Sequence, residues 1–129
     1  MENPIVEKML KEGIDSVNLS MLDEATRKKI LDDVANKLYK QNKHIEAINV
    51  LSSCGNNERL IKMGEEFVHY QKCELAALCF IPTKDKVRLN EIAVHCIKNK
   101  NYKLASEAYE AAGNYQMAGF IKRNFVKNE

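Results

Sequence analysis

Small and apolar residues return along this chain at a fixed interval. Ala47, Ala76 and Ala105 stand 29 residues apart, as do Ala35, Gly64 and Ala93, each 12 residues before its partner. Apolar positions around them keep the interval: Leu31, Leu60 and Leu89; Val34, Met63 and Ile92; Leu38, Phe67 and Cys96; Leu51, Phe80 and Tyr109. Within each stretch the apolar residues share one helical face. Self-similarity at such a period predicts stacked helical units, each burying its apolar face against its neighbours.

The pattern predicts eight helices. The first covers 4–11, carries Ile5, Val6, Met9 and Leu10, and stops at Gly13. Ser20 with Asp23 predicts a capping box opening a helix that runs to about Lys40. A third holds Ile45, Ala47, Ile48 and Leu51 and closes at Cys54-Gly55-Asn56. Further helices are predicted at 58–70, 73–81 (stopped by Pro82), 85–98, 102–112 (closed by Gly113-Asn114) and 116–125. Small residues at the crossing of two helices let the backbones approach. That explains Gly64, which inside a helix costs up to about 1 kcal/mol relative to alanine. The last helix keeps the register with Ala118, Ile121 and Phe125, but Lys122 replaces the small residue. A charge fits there only where no second helix packs, so this helix reads as a terminal cap solvated by Lys122, Arg123 and Lys127.

Composition narrows the function classes. A chain of 129 residues with net charge +2 can bury a core, and its charge gives no case for nucleic acid or an anionic membrane. The longest apolar run, 75–81, is too short to span a bilayer, and the first residues lack the pattern of a signal peptide. The cysteines, at 54, 73, 79 and 96, form no Cys-x-x-Cys pair and are expected to stay reduced in the cytoplasm. There is no glycine-rich phosphate loop, nucleophile elbow or paired-carboxylate signature, so neither an enzyme nor a bound cofactor is expected.

The repeat resembles the tetratricopeptide-like helical repeats. Ala35/Ala47, Gly64/Ala76 and Ala93/Ala105 match the family's paired small residues, twelve apart. Leu31, Leu60 and Leu89 stand four before the first small residue, and Leu51, Phe80 and Tyr109 four after the alanine. Tyr102, Ala105, Tyr109 and Ala112 make the third repeat the closest. The interval of 29 departs from the family's usual 34, the late proline is missing, and there is no tryptophan. Shortened repeats with a phrase such as Ala-Tyr-Glu-Ala-Ala-Gly-Asn-Tyr at 108–115 are more similar to the solenoid segments of vesicle-coat and intraflagellar-transport scaffolds. The resemblance implies an all-α fold. It would be a right-handed α-solenoid of three hairpins (about 28–56, 57–85 and 86–114), with a leading helix and a cap at 115–126, forming one domain. It also implies a protein–protein interaction or adaptor role.

In such repeats the first helix of each hairpin lines a concave face. The register puts Lys29, Asp32, Asn36, Tyr39 and Lys40 there, then Glu58, Ile61, Glu65, Val68 and His69, then Val87, Asn90, Val94, Ile97 and Lys98. Ile61, Val68, Val87, Val94 and Ile97 make an apolar stripe where a solvated groove would be polar, which marks either a contact surface or a face covered by the N-terminal helix or by strong curvature. The expected ligand is a helix or extended segment of another protein. Asn36, Tyr39, His69 and Asn90 would supply flanking hydrogen bonds, with Glu65 and Lys98 beside them. Asp32, Glu65 and Val94 stand where a clamp for a terminal carboxylate would need lysine or asparagine, so no such clamp is expected. A homodimer through the same stripe is one alternative. Another is a lysine-rich turn edge (Lys37, Lys40, Lys43, His69, Lys72, Lys98, Lys100, Lys103) for acidic, phosphorylated or nucleic-acid ligands. Nucleic acid is disfavoured because no aromatic residues interleave with those lysines. His69, Cys73, Cys79, His95 and Cys96 match no zinc spacing.

Overall fold

A computed structural model describes residues 3–126. The described chain is all-helical, with eight α-helices and no strand. They are α1 (Pro4–Glu12), α2 (Glu24–Lys40), α3 (His44–Ser53), α4 (Asn57–His69), α5 (Cys73–Phe80), α6 (Lys86–Lys98), α7 (Tyr102–Ala111) and α8 (Tyr115–Phe125). Neighbours pack in pairs: α2 with α3, α4 with α5, α6 with α7, and α7 with α8. Lys127, assigned to the solvating end of the cap, lies outside the described residues.

The chain forms two compact units that divide between Asn56 and Asn57. In the first, Val6 and Met9 of α1, Ile30, Leu31, Val34 and Leu38 of α2, and Ala47, Ile48, Val50 and Leu51 of α3 are buried. In the second the core comprises Leu60, Met63 and Phe67; Ala76, Cys79 and Phe80; Leu89, Ile92 and Cys96; Leu104, Ala105, Ala108 and Tyr109; and Ala118 and Ile121.

The 29-residue interval reappears in the backbone. Asn42, Gln71 and Lys100 all take φ of 60–64° in the turns that close α2, α4 and α6. At each, two hydrogen bonds cap the helix. Asn42, Gln71 and Lys100 N–H donate to the carbonyls of Tyr39, Val68 and Ile97 (3.0, 3.0 and 2.9 Å). The next N–H, of Lys43, Lys72 and Asn101, reaches back to Leu38, Phe67 and Cys96 (2.9, 2.8 and 2.8 Å). This is the Schellman arrangement, which pairs carbonyls the helix end would otherwise leave open. A second left-handed series, Gly55, Lys84 and Gly113, keeps the same interval at the ends of the second helices. Glycine reaches that conformation without a Cβ penalty, whereas Lys84 has to bear it. Here the pattern also departs from the others: Pro82 sits in a single 3-10 turn, Ile81–Thr83, and Asp85 N–H turns to Thr83 Oγ1 (3.2 Å).

Two expectations need correcting. Ser20 does not open α2; the helix begins four residues later, and Asp23 caps it by accepting from Thr26 N–H at 2.7 Å. Ser20 instead donates its own N–H to Asn18 Oδ1 (2.9 Å) in the preceding connector. At the other end of the chain, α8 starts at Tyr115, with the Asn114 side chain accepting from Met117 N–H at 3.3 Å.

Gly64 has a more specific cause than backbone approach. A Cβ built there would come within 2.8 Å of Phe80 Cζ, and the ring is itself buried. The aromatic ring of α5 fills the volume a side chain on α4 would need.

Candidate partner-binding surface

The second unit holds two adjoining clefts between α4 and α6, of about 280 and 330 Å³. Both are lined by Val68 of α4 and by Ile92 and His95 of α6. One end adds Glu65, Arg88 and Glu91; the other adds Gln71, Cys73 and Asn99. Arg88 bridges the helices at the first end. Its Nη2 donates to Glu65 Oε2 at 2.8 Å and its Nη1 to Asp85 Oδ2 at 2.7 Å. Asp85 also caps α6, accepting from Arg88 N–H at 3.1 Å. That backbone bond, followed by the bond from the Arg88 side chain, holds its carboxyl below the usual range. Hydrogen bonds from Arg88 to Glu65, then to Asp85, raise the guanidinium's own pKa.

The expected site residues divide between the units. Asn36 and Tyr39 belong to the first, where the Tyr39 ring lies 4.8 Å from that of His44. Ile61, Glu65, Val68, His69, Val87, Asn90, Val94, Ile97 and Lys98 belong to the second. Among these, Glu65 and Val68 line the α4–α6 cleft. On the α6 side the cleft is lined by Arg88, Glu91, Ile92 and His95, and not by Val87, Asn90, Val94 or Ile97. Those four lie on other faces of the same helix, turned away from the Arg88–His95 stripe by the 100° step per residue. Asn90 is already engaged, with Nδ2 donating to the Lys86 carbonyl (2.9 Å) and Oδ1 accepting from Asn114 Nδ2 (3.4 Å). His69 is exposed, its ring edge-on to Tyr70 at 5.1 Å.

Besides Val68 and Tyr70 at the end of α4, the exposed apolar residues of this unit are on α6 and α8. Val87 is 68% exposed, Val94 44%, Phe120 47% and Phe125 44%. The 29-residue register relates them to the cleft. Val94 and Ile97 stand where α4 has Glu65 and Val68, and Met117 and Phe120 where α6 has Arg88 and Glu91. The positions that make an ion-paired wall on α4 and α6 therefore carry an apolar set on α6 and α8. Phe125 stacks on Tyr102 (centroids 4.7 Å apart, planes at 21°), and Phe120 stands edge-on to Phe125 at 6.3 Å. Met117, Phe120 and Phe125 were absent from the expected site. The signal for Phe120 was present in the sequence, as an aromatic where Glu91, Lys62 and Asp33 stand one, two and three repeats earlier.

In the first unit a cleft of about 370 Å³ has an apolar floor that includes Met9, Val34, Leu38 and Val50 beneath a rim with Lys43 and Glu46. Among the described residues no group of three or more His, Cys, Asp or Glu could hold a metal ion, and no helix is long and apolar enough to cross a membrane. Burial pushes the Cys79 thiol up to about 12 and that of Cys96 to about 11, the neighbouring Cys73 and Glu74 adding to the second. No family model, curated protein or solved structure matches the chain.

Proposed function

We propose that this protein is a non-catalytic protein–protein interaction module of tetratricopeptide-like repeats. In this reading its 29-residue units are three hairpins of a right-handed α-solenoid capped by α8, and the role is that of a cytoplasmic adaptor or scaffold. The recurrence of left-handed residues at 42, 71 and 100, and again at 55, 84 and 113, supports a repeated structural unit. Four free thiols suit a reducing compartment.

The observation that carries the proposal is the apolar face of the second unit, where Val87, Val94, Phe120 and Phe125 are open to solvent on consecutive first-type helices. Exposed residues clustered in this way mark contact surfaces, whereas scattered ones do not. A partner segment lying along α6 and α8 would cover them, with side chains three and four apart filling the spaces between the two helices. Val68 adds an exposed apolar group in the neighbouring α4–α6 cleft.

The test is a binding comparison between the wild-type chain and a Val68→Asp/Val94→Asp variant, each shown by circular dichroism to be folded. Both positions are exposed, so the variant is expected to keep its melting temperature within a few degrees. A captured protein lost with the variant supports the face as the site. A protein held equally by both chains would put the site elsewhere.

A further inference from the structure

We infer that the α6–α8 face takes an acidic amphipathic helix, an inference that rests on the interaction role proposed above. Its first ground is spacing. Val87 and Val94 are seven apart, Val94 and Ile97 three apart, and Met117 and Phe120 three apart. A helix with apolar residues at i, i+3, i+4 and i+7 matches such rows.

Charge supplies the second ground. Lys86 and Lys98 of α6 and Arg123 of α8 make no ion pair among the described residues. Lys100 and Lys103 follow in the turn and at the start of α7. Helix α8 contains no acidic residue, and the one acid of α6, Glu91, lines the α4–α6 cleft. The two remaining basic side chains are already matched, Arg88 to Glu65 and Asp85, and Lys122 to Glu110 at 2.7 Å. The strip thus carries three cations without an ion pair, Lys86, Lys98 and Arg123, against one exposed acid, Glu91, so its balance is cationic. Glutamates flanking a partner's apolar stripe would meet Lys98 and Arg123, which steers encounter and selects against basic helices.

Two other occupants fit less well. A second copy would bring one cationic face against another. A single strand of nucleic acid needs a run of free aromatic faces, whereas the Tyr102 and Phe125 rings stack on each other and Phe120 is the strip's one other aromatic residue.

Two synthetic helical peptides of about 18 residues test the inference, sharing one leucine stripe but flanked by glutamate in one and lysine in the other. Binding to the intact chain is read by fluorescence anisotropy. The glutamate peptide is expected to bind at least about tenfold tighter, and Lys98→Glu/Arg123→Glu to reverse the preference. Phe120→Ser, at an exposed position, should weaken both peptides. Equal affinities that both fall with Phe120→Ser would overturn the acidic selection and leave the interaction face standing. No binding of either peptide, or binding indifferent to Phe120→Ser, would overturn both. Sedimentation that shifts with protein concentration and is lost in Phe120→Ser would assign the face to a second copy and end the inference.

Discussion

Gly64 and Phe80 form one packing unit, and exchanging either alone should show it. Gly64→Ala gains helix propensity of up to about 1 kcal/mol, but the new methyl meets a buried ring, and overpacking typically costs about 1–3 kcal/mol. The expected net effect is destabilisation of roughly 1 kcal/mol in urea unfolding. In a Phe80→Leu background the same change should become neutral or favourable, because the first hairpin already combines Ala35 with Leu51. If Gly64→Ala costs the same in both backgrounds, the ring is not what holds glycine there. The left-handed turns give a second residue-scale expectation. Lys100 takes φ 64° with a full side chain, so Lys100→Gly relieves strain of about 1–2 kcal/mol while loosening the unfolded chain by roughly half as much. A rise in melting temperature of a few degrees is expected, and a fall would mean the lysine contributes something beyond its backbone. The sequence did reveal that position 64 must be small. It could not reveal that the obstacle is a ring sixteen residues away, because periodicity gives the face and not the rotamer.

Helix ends were less legible than helix interiors, and α2 shows why. Ser20 and Asp23 both suit an N-cap by type, and the spacing alone favoured the earlier one. The backbone decided for Asp23, whose extended φ/ψ and bond to Thr26 N–H start the helix. At α6 the same residue type does more, since Asp85 both caps the helix and pairs with Arg88. Its carboxyl pKa is lowered in the folded state, so its contribution is present above the ordinary carboxylate pKa and is lost as pH falls through the lower, folded value. Asp85→Asn, which keeps an acceptor for the cap but loses the ion pair, should lower the melting temperature at pH 7 by a few degrees at most. The difference should shrink as the pH is taken down past the ordinary carboxylate range and vanish once the folded carboxyl is protonated. A gap that persists in acid would place the effect in the cap geometry and not in the charge. The candidate face was legible in part for a related reason. Val94 and Ile97 could be assigned from register, but the pairing of Glu65 with Arg88, 23 residues later, could not. Contacts between separate helices are not written in the spacing along either one.

At the scale of the whole molecule, the division between Asn56 and Asn57 implies that α4–α8 carry a core of their own. Leu60, Leu89, Ile92, Cys79 and Cys96 are all at most 2% exposed within that unit, and Asn101 Nδ2 to Glu74 Oε1 (3.1 Å) and Arg88 to Glu65 tie its helices together. The fragment 57–129 is therefore expected to fold alone, with a helical spectrum and a cooperative thermal transition. Its stability should be low for its length, because about 70 residues bury a smaller share of their surface than a larger domain does. Thiol labelling gives the test a local reading. With the Cys79 pKa near 12, only roughly one thiol in ten thousand is ionised at pH 8, and its burial blocks the reagent as well. In a folded fragment Cys73, half-buried at the start of α5, should react with a maleimide well before Cys79 or Cys96. Equal, rapid labelling of all three would mean that α4–α8 do not close a core without the first 56 residues. The repeat would then be a pattern of sequence and backbone whose stability belongs only to the complete chain, as nearest-neighbour coupling between stacked units allows.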